Sequence, residues 1–254
     1  MNKPQLYGAD FTNKFKERTK SVSISVDSLQ LDPHASFKVF LQLEPPSVKN
    51  LIDAVVENQD SFDLILAWHP TILEKCSNAK KFIFGTCWID LDNYQSEKKD
   101  EISFLTSSKD WTDGHQLRQV IYHYLKNKKQ INEFSVKSIQ TPPRIPNKNE
   151  IFENAKFSIV VENESLPNWI TEKLIDCFAT KTVPIYWGCS NLGEYFDTEG
   201  VLQFSSFEEL VMLINTLDSQ AYEDRSSAIE HNYKESFKYH DLFARVDAEL
   251  DLVL

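Results

Sequence analysis

The feature that most constrains the fold is an alternation of short apolar runs with amphipathic helical patterns. FDLILAW (62–68) and FSIVV (157–161) are nearly continuous apolar runs, typical of strands that are buried on both faces of a sheet. Apolar residues recur at helical spacing in 115–129 and 170–181. Because strands that alternate with helices build parallel sheets, the sequence predicts an α/β fold.

The same patterns predict the other elements and a division of the chain. Further strands are expected at 22–26, 37–43, 80–89, 101–108, 182–188 and 200–204. Further helices are expected at 47–58, 69–76, 206–217 and within 219–254. The predicted N-caps are Ser47 for helix 47–58, Thr112 or Asp113 for helix 115–129, and Ser206 for helix 206–217. Residues 90–101 are polar and acidic, and 138–151 are rich in proline, so both segments are predicted to be loops. The first of these loops predicts two units, residues 1–98 and 99–254.

Composition excludes several classes of function. The formal net charge is −11, which disfavours a nucleic-acid polymer as partner but permits a small anionic ligand held by local cations. No apolar stretch approaches the roughly 18 residues that span a membrane, and the N-terminal MNKPQLYGADF lacks the apolar core of a signal peptide. Four cysteines without metal-finger spacing indicate buried thiols in a reducing compartment, so a cytoplasmic location is expected.

Polar side chains follow the predicted strand 101–108. Ser108 ends this strand, Lys109 follows it, and Arg118 lies about one turn into the next helix. A helix N-terminus and an arginine fork both suit phosphate oxygens. A solvated surface loop explains the same residues equally well, since no phosphate-binding glycine motif is present.

A second polar cluster follows the apolar strand FSIVV. Glu162 and Asn163 directly follow that strand, and Glu172 and Lys173 open the next helix. The helix dipole favours Glu172 in the first turn but disfavours Lys173, and a bound phosphate would remove that penalty. An ion pair with a neighbouring carboxylate is the alternative, and local physics leaves both open.

Two further carboxylate signals compete. Glu44 follows the predicted strand FKVFLQL and precedes Pro-Pro, where a general base is expected to face a substrate, although an exposed loop glutamate is the commoner case. Asp90 and Asp92 form a D-x-D after another apolar run. Such a pair can hold Mn²⁺ or Mg²⁺ on a diphosphate, but it also occurs by chance in acidic loops.

The segment FSIVVENESLPNWITEKLIDCFATKTVPIYWG resembles the signature of the α-1,3-fucosyltransferases, glycosyltransferase family 10. The matching pieces are VENES, an aromatic residue at Trp169, ITEKL and VPIYWG, in the family's order. Looser agreement extends over most of residues 37–215. The resemblance implies a GT-B fold, which consists of two Rossmann-like lobes with a donor cleft between them. It also implies an inverting transfer of fucose from GDP-fucose to a hydroxyl of a glycan acceptor.

The resemblance further implies roles for single residues. It implies that Glu44 is the general base and that Arg118 and Lys173 bind the diphosphate. Donor-binding positions also fall on Glu172, Glu162, Asn163, Trp169, Ser108 and Lys109. No bound metal and no cofactor are implied, since the donor is a substrate. Two alternatives to a fucosyltransferase remain open. The chain would then be either a transferase of the same fold that uses another nucleotide sugar such as GDP-mannose, or an inactive module that binds a nucleotide sugar or a glycan. The sequence leaves the oligomeric state open.

Overall fold

A computed structural model of the protein describes residues 5–7, 15–141 and 147–254. Its contacts divide the chain into two compact units that are both discontinuous in sequence. The first unit comprises the chain up to Phe84, together with Pro167–Trp169 and Asp241–Leu254. The second unit comprises Gly85–Leu166 and Ile170–His240.

Strands alternate with helices in the described residues, as the apolar pattern predicts. The strands are β1 (Gln5–Tyr7), β2 (Val22–Val26), β3 (Phe37–Leu41), β4 (Leu64–Ala67), β5 (Ala79–Lys81), β6 (Lys99–Ser107), β7 (Gln130–Ile131), β8 (Phe134–Thr141), β9 (Ala155–Val161), β10 (Val183–Trp187) and β11 (Leu202–Gln203). The α-helices are α1 (Ile52–Glu57), α2 (Pro70–Lys75), α3 (Asp113–Leu125), α4 (Glu172–Ala179), α5 (Phe207–Thr216), α6 (Gln220–Glu223), α7 (Ser226–Ser236) and α8 (Leu242–Asp251). Within the described ranges, none of these helices has the length and apolar character needed to cross a membrane.

The first unit is built on a parallel sheet with the strand order β1-β2-β3-β4-β5. The strands β2, β3 and β4 are mostly buried on both faces, so successive side chains enter two different cores. Val39 and Leu41 of β3 pack in one core with Val246 of α8. Phe40, which lies between them, packs in the other core with Ile72 of α2. Helices therefore cover this sheet on both sides.

The second unit is built on a six-stranded sheet with the order β11-β10-β9-β6-β8-β7. All of its pairings are parallel except the one between β7 and β8. Phe157 and Ile159 of β9 pack in one core with Ile121 of α3 and Leu210 of α5. The carboxyl ends of the central strands β6 and β9 therefore open next to the helices that follow them, which is where α/β proteins bind ligands.

Side-chain caps fix where two of the predicted helices begin. The hydroxyl of Thr112 accepts a hydrogen bond from the backbone N–H of His115 at 3.1 Å and caps α3. The hydroxyl of Ser206 accepts one from Glu209 N–H, also at 3.1 Å, and caps α5. Both predicted caps are confirmed, because each satisfies an N–H group that the first helical turn leaves without a partner.

The prediction of a helix from residue 47 capped by Ser47 was wrong. Helix α1 begins at Ile52, and Leu51 occupies its N-cap position without a side-chain hydrogen bond. The carbonyl oxygen of Pro45 instead accepts the N–H groups of Val48 at 2.9 Å and Lys49 at 2.8 Å. A tight turn after the two prolines therefore takes up the residues that had been assigned to the first helical turn.

Two strand predictions also need correction. The apolar run 80–89 is strand only as far as Lys81, because beyond it Gly85 N–H bonds to the carbonyl of Ile170 and Cys87 N–H bonds to that of His240. The loop predicted at 138–151 begins inside β8, which pairs with β6 from Ser135 to Thr141. Residues 142–146, which hold all three prolines of that segment, lie outside the described residues.

Candidate active site

Arg118 of α3 reaches the turn that follows β9. Its Nη1 donates to the carbonyl oxygens of Val161 at 2.5 Å and Glu162 at 3.2 Å, and its Nη2 donates to Oδ1 of Asn163 at 2.9 Å. Burial lowers the pKa of Arg118 to about 10, and the charges of Glu162 and Glu172 oppose that shift. The side chain thus holds a positive charge at the carboxyl end of β9 and fixes the turn around it.

Two glycines make room for this arrangement. The N–H of Gly114 in the first turn of α3 donates to the carbonyl of Asn163 at 3.1 Å. A Cβ atom at Gly114 would overlap the carbonyl oxygen of Glu162, and one at Gly188 would lie 2.5 Å from Cγ of Glu162. The start of α3 and the end of β10 therefore both approach Glu162 more closely than a larger residue allows.

The Glu162 side chain is fully buried and is held by the segment that leads into α4. Its Oε1 accepts the N–H of Thr171 at 3.2 Å, and its Oε2 accepts the hydroxyl of Thr171 at 2.8 Å. Its Oε2 also lies 3.4 Å from Nζ of Lys173. Burial raises the pKa of Glu162, while Lys173 and the hydrogen bonds from Thr171 act in the opposite direction. Glu162 is therefore a fixed, enclosed group that orients Lys173.

Lys173 forms a long ion pair with each of two carboxylates. Its Nζ lies 3.4 Å from Glu162 and 3.4 Å from Glu172, and its side chain is 29% exposed. Burial acts to raise the pKa of Glu172, but the fields of Lys173 and Lys148 outweigh it, so the pKa of Glu172 is lowered. The ammonium group is thus oriented by the protein and remains accessible to an anionic ligand.

Another cation, the half-buried Lys148, lies close to this region. Nζ of Lys148 lies 2.5 Å from Oδ2 of the fully buried Asp176, whose Oδ1 accepts the N–H of Trp88 at 2.7 Å. The desolvation that would lower the pKa of Lys148 is outweighed by Asp176 and Glu172, so that pKa is raised. Lys148 therefore adds positive charge near Glu172. Sequence reasoning missed it, because no local pattern links residues 148, 172 and 176.

His115, in the first turn of α3, is the other group that sequence reasoning missed. It is buried, its Nδ1 lies 2.7 Å from the hydroxyl of Thr112, and its ring stacks on Trp111 with centroids 5.6 Å apart. Burial and the charges of Arg118, Lys109 and Lys173 together lower its pKa to about 4. His115 is therefore neutral at pH 7 and lies within the field of three cations. Its position three residues after a capping threonine was the available signal.

The two remaining candidates of this loop are at the surface. Ser108 and Lys109 are both exposed after β6. The carbonyl oxygen of Lys109 accepts a hydrogen bond from Nε2 of Gln119 at 2.9 Å. The Nζ atom of Lys109 lies 5.1 Å from the ring centre of Trp111. The donor-binding roles that the resemblance gives to Ser108 and Lys109 stay predictions.

Two of the predicted site residues belong to the first unit. Glu44 is half-buried after β3, and its N–H donates to Oδ2 of Asp27 at 3.0 Å. Trp169 is buried, with its ring 4.7 Å from that of Trp68 and 5.9 Å from that of Phe84. Base catalysis by Glu44 and donor binding by Trp169 also stay predictions.

The D-x-D segment lies at the surface. The backbone of Asp90 exchanges two hydrogen bonds with the side chain of Asn149, at 3.0 and 2.9 Å, and its Oδ2 accepts from Asn93 at 2.8 Å. Asp92 is exposed. Across the part of the chain that the structure describes, no group of three or more His, Cys, Asp or Glu side chains is placed to hold a metal ion.

Five of the nine predicted site residues thus come together in the second unit. Together with Thr171 they surround the carboxylate and the backbone of Glu162, and we call these six residues the Glu162 cluster. Its members are Arg118, Glu162, Asn163, Thr171, Glu172 and Lys173. The cluster joins the carboxyl end of β9 to the first turns of α3 and α4.

The chain matches the model of one protein family. The model of glycosyltransferase family 10 (fucosyltransferase), C-terminal part, matches residues 95–249 and so includes the whole Glu162 cluster. The match covers more than half of the chain, and the chain belongs to this family. The predicted family assignment is confirmed.

Two curated relatives are similar over shorter segments. An α-(1,3)-fucosyltransferase of Helicobacter pylori is 34% identical over 100 residues, which are 31% of this chain and 21% of that protein. An α-(1,4)-fucosyltransferase of Arabidopsis thaliana is 32% identical over 74 residues, which are 27% of this chain and 18% of that protein. The chain therefore matches about a fifth of the length of either relative.

Solved structures agree in fold. A crystal structure of an α1,3-fucosyltransferase with GDP-fucose matches with a TM-score of 0.51 at 16% identity, over 87% of this chain and 80% of that one. The crystal structure of TarM matches with a TM-score of 0.53 at 10% identity, over 91% of this chain and 54% of that one. The predicted GT-B fold, with two α/β units on mostly parallel sheets, is confirmed.

Proposed function

We propose that this chain is an inverting, metal-independent fucosyltransferase that moves fucose from GDP-fucose to a hydroxyl of a glycan acceptor. The observation that carries the proposal is the Glu162 cluster, in which Arg118 and Lys173 bring two positive charges to one turn at the carboxyl end of β9. Membership of a fucosyltransferase family supports fucose as the transferred sugar. The structural neighbour crystallised with GDP-fucose supports that donor.

The cations have a defined task in this reaction. Negative charge grows on the diphosphate as its bond to the sugar breaks, and fixed positive groups stabilise that charge in the transition state. Lys173 is the group that would contact the diphosphate, because it is partly exposed and its two carboxylate neighbours lie at 3.4 Å. Arg118 has both Nη atoms bonded to the 161–163 turn, so it contributes mainly its charge and the shape of that turn.

The base belongs to the first unit. Glu44 would take the proton of the acceptor hydroxyl while that oxygen forms its bond to C1 of the sugar and the bond from C1 to the diphosphate breaks. One direct displacement of this kind inverts the anomeric carbon, since the acceptor attacks from the face opposite the leaving group. Two fixed cations would neutralise the leaving group without a bound metal, and no cofactor takes part.

The test is a transfer assay with the purified protein. GDP-fucose and GDP-mannose are each offered with a glycan array, with and without EDTA, and the GDP released and the product mass and anomeric configuration are measured. The proposal predicts fucosylated, inverted product that EDTA leaves unchanged. A preference for GDP-mannose would contradict the proposal that GDP-fucose is the donor. Loss of activity in EDTA that Mn²⁺ restores would overturn metal independence. GDP binding without transfer to any glycan would indicate a binding module.

A further inference from the structure

Asp27 holds the chain segment that ends at Glu44. Asp27 directly follows β2, which pairs in parallel with β3, so the carboxyl ends of both strands lie side by side. Its Oδ1 accepts the N–H of Leu43 at 2.8 Å and its Oδ2 accepts the N–H of Glu44 at 3.0 Å. Its own N–H donates to the carbonyl of Leu41 at 3.0 Å. One residue thus makes three hydrogen bonds to the four residues that lead to Glu44.

The backbone of Asp27 is bent to make these bonds. Its φ angle is +45°, in the left-handed region that side chains other than glycine seldom adopt. Aspartate and asparagine tolerate that region better than other residues. The bend turns the carboxylate of Asp27 back toward β3, where its two oxygens reach consecutive N–H groups.

The carboxylate of Asp27 is also electrically linked to Glu44. The pKa of Asp27 is raised to about 7. Burial is the largest cause and the charge of Glu44 adds to it, while the hydrogen bonds from Leu43 and Glu44 and the charge of Lys49 act in the opposite direction. Among the residues that the structure describes, Glu44 and Lys49 are the charged groups that act on it. Two carboxylates that feel each other's charge titrate as a pair, so ionised Asp27 makes Glu44 hold a proton more strongly.

We propose that Asp27 is a positioning residue for Glu44, whose backbone it fixes and whose strength as a base it increases. The inference rests on the proposed role of Glu44 in accepting the proton of the acceptor hydroxyl. Asp27 itself needs no contact with either substrate. Its two effects are separable, since the geometry depends on the acceptor oxygens and the base strength depends on the negative charge.

Variants at residue 27 separate these effects. Asp27→Asn keeps one acceptor oxygen and the left-handed backbone but removes the charge, and Asp27→Gly keeps only the backbone. We expect Asp27→Asn to lower kcat/KM for the acceptor by about tenfold or more at pH 8, and to remove the change in its pH profile near pH 7, where the carboxyl of Asp27 titrates in the wild type. Asp27→Gly should lose more activity, while both variants bind GDP like the wild type.

Asp63→Asn is the matched control. Oδ2 of Asp63 accepts the N–H of Lys38 at 2.7 Å at the opposite end of the same strand β3, and Asp63 is exposed. This variant should keep wild-type turnover and pH profile. Wild-type kcat/KM in Asp27→Asn, together with an unchanged pH profile near pH 7, would overturn the inference about Asp27 alone. Absence of transfer by the wild type would overturn the base role of Glu44 and this inference with it.

A second measurement does not depend on turnover. The side-chain carboxyl carbon of Asp27 is followed by ¹³C NMR through a pH titration of the wild type and of Glu44→Gln. Because the charge of Glu44 raises the pKa of Asp27, that pKa should fall below about 7 once the charge is removed. An identical titration of Asp27 in both proteins would contradict the coupling, whatever the assays of transfer show.

Discussion

The carboxyl edges of the two sheets differ in charge although both sheets are mostly parallel and covered by helices. In the first unit, two carboxylates, Asp27 and Glu44, follow the neighbouring strands β2 and β3. In the second unit, two cations, Arg118 and Lys173, meet at the turn after β9. The comparison teaches that the architecture fixes where polar groups gather, while the residues at the strand ends decide the chemistry. An acidic edge suits proton transfer, and a cationic edge suits a phosphate.

The substitution Glu44→Gln tests the acidic edge and has the largest expected effect. Without a carboxylate to take the proton, turnover should fall by at least about a hundredfold. Affinity for GDP should not change, since the cations proposed to bind it belong to the second unit. Glu57→Gln, at an exposed position of α1, is the control and should keep full turnover. Near-normal turnover of Glu44→Gln would contradict the proposal that Glu44 is the general base.

Gly114→Ala tests how the cationic edge is built. The new Cβ would overlap the carbonyl oxygen of Glu162, and both groups are fixed to backbone, so α3 must shift. The free energy of unfolding should fall by about 2 kcal/mol or more in urea titrations. At Gly193 the nearest atom would be Cγ2 of Thr198 at 3.6 Å, an ordinary contact, so Gly193→Ala should cost much less. Equal stability of the two variants would contradict the close approach of α3 to β9.

The smallest expected effect is the uptake of a proton by His115 when GDP binds at the cationic edge. Burial and the three neighbouring cations hold the pKa of His115 at about 4. A bound diphosphate would offset those cations and raise this pKa, so His115 should take up part of a proton when GDP binds near pH 5 and none at pH 8. Calorimetry in two buffers of different ionisation enthalpy measures the uptake. His115→Gln should abolish it, and equal uptake by wild type and variant would exclude His115 as its source.

Local patterns predicted most of the fold, and they failed where long-range contacts decide. The strands β2, β4 and β9 and the caps Thr112 and Ser206 were predictable, because apolar runs and capping residues act within a few positions. The apolar run after Lys81 looked like strand, yet Phe82 N–H still bonds to the neighbouring strand, at Ala67 of β4, while the N–H groups of Gly85 and Cys87 bond to the distant carbonyls of Ile170 and His240. The alternating strand β8 was missed because the prolines that follow it favoured a loop assignment.

The site divides in the same way. Glu162, Asn163, Glu172 and Lys173 were predictable because they belong to one short segment with a recognisable order. Lys148 and Asp27 were not, since each acts on a residue to which no sequence spacing connects it. Lys148 meets Asp176 inside the second unit, and Asp27 reaches Glu44 only because β2 and β3 are neighbours in a sheet.

The central claim is that the Glu162 cluster binds the diphosphate of the donor through Lys173. Isothermal titration of GDP into the wild type, Lys173→Ala and Lys234→Ala tests it most directly, because Lys234 is an exposed lysine on α7 of the same unit. The account predicts that Lys173→Ala weakens GDP binding by at least about tenfold, while Lys234→Ala binds like the wild type. The same affinity for GDP in Lys173→Ala and the wild type would contradict it.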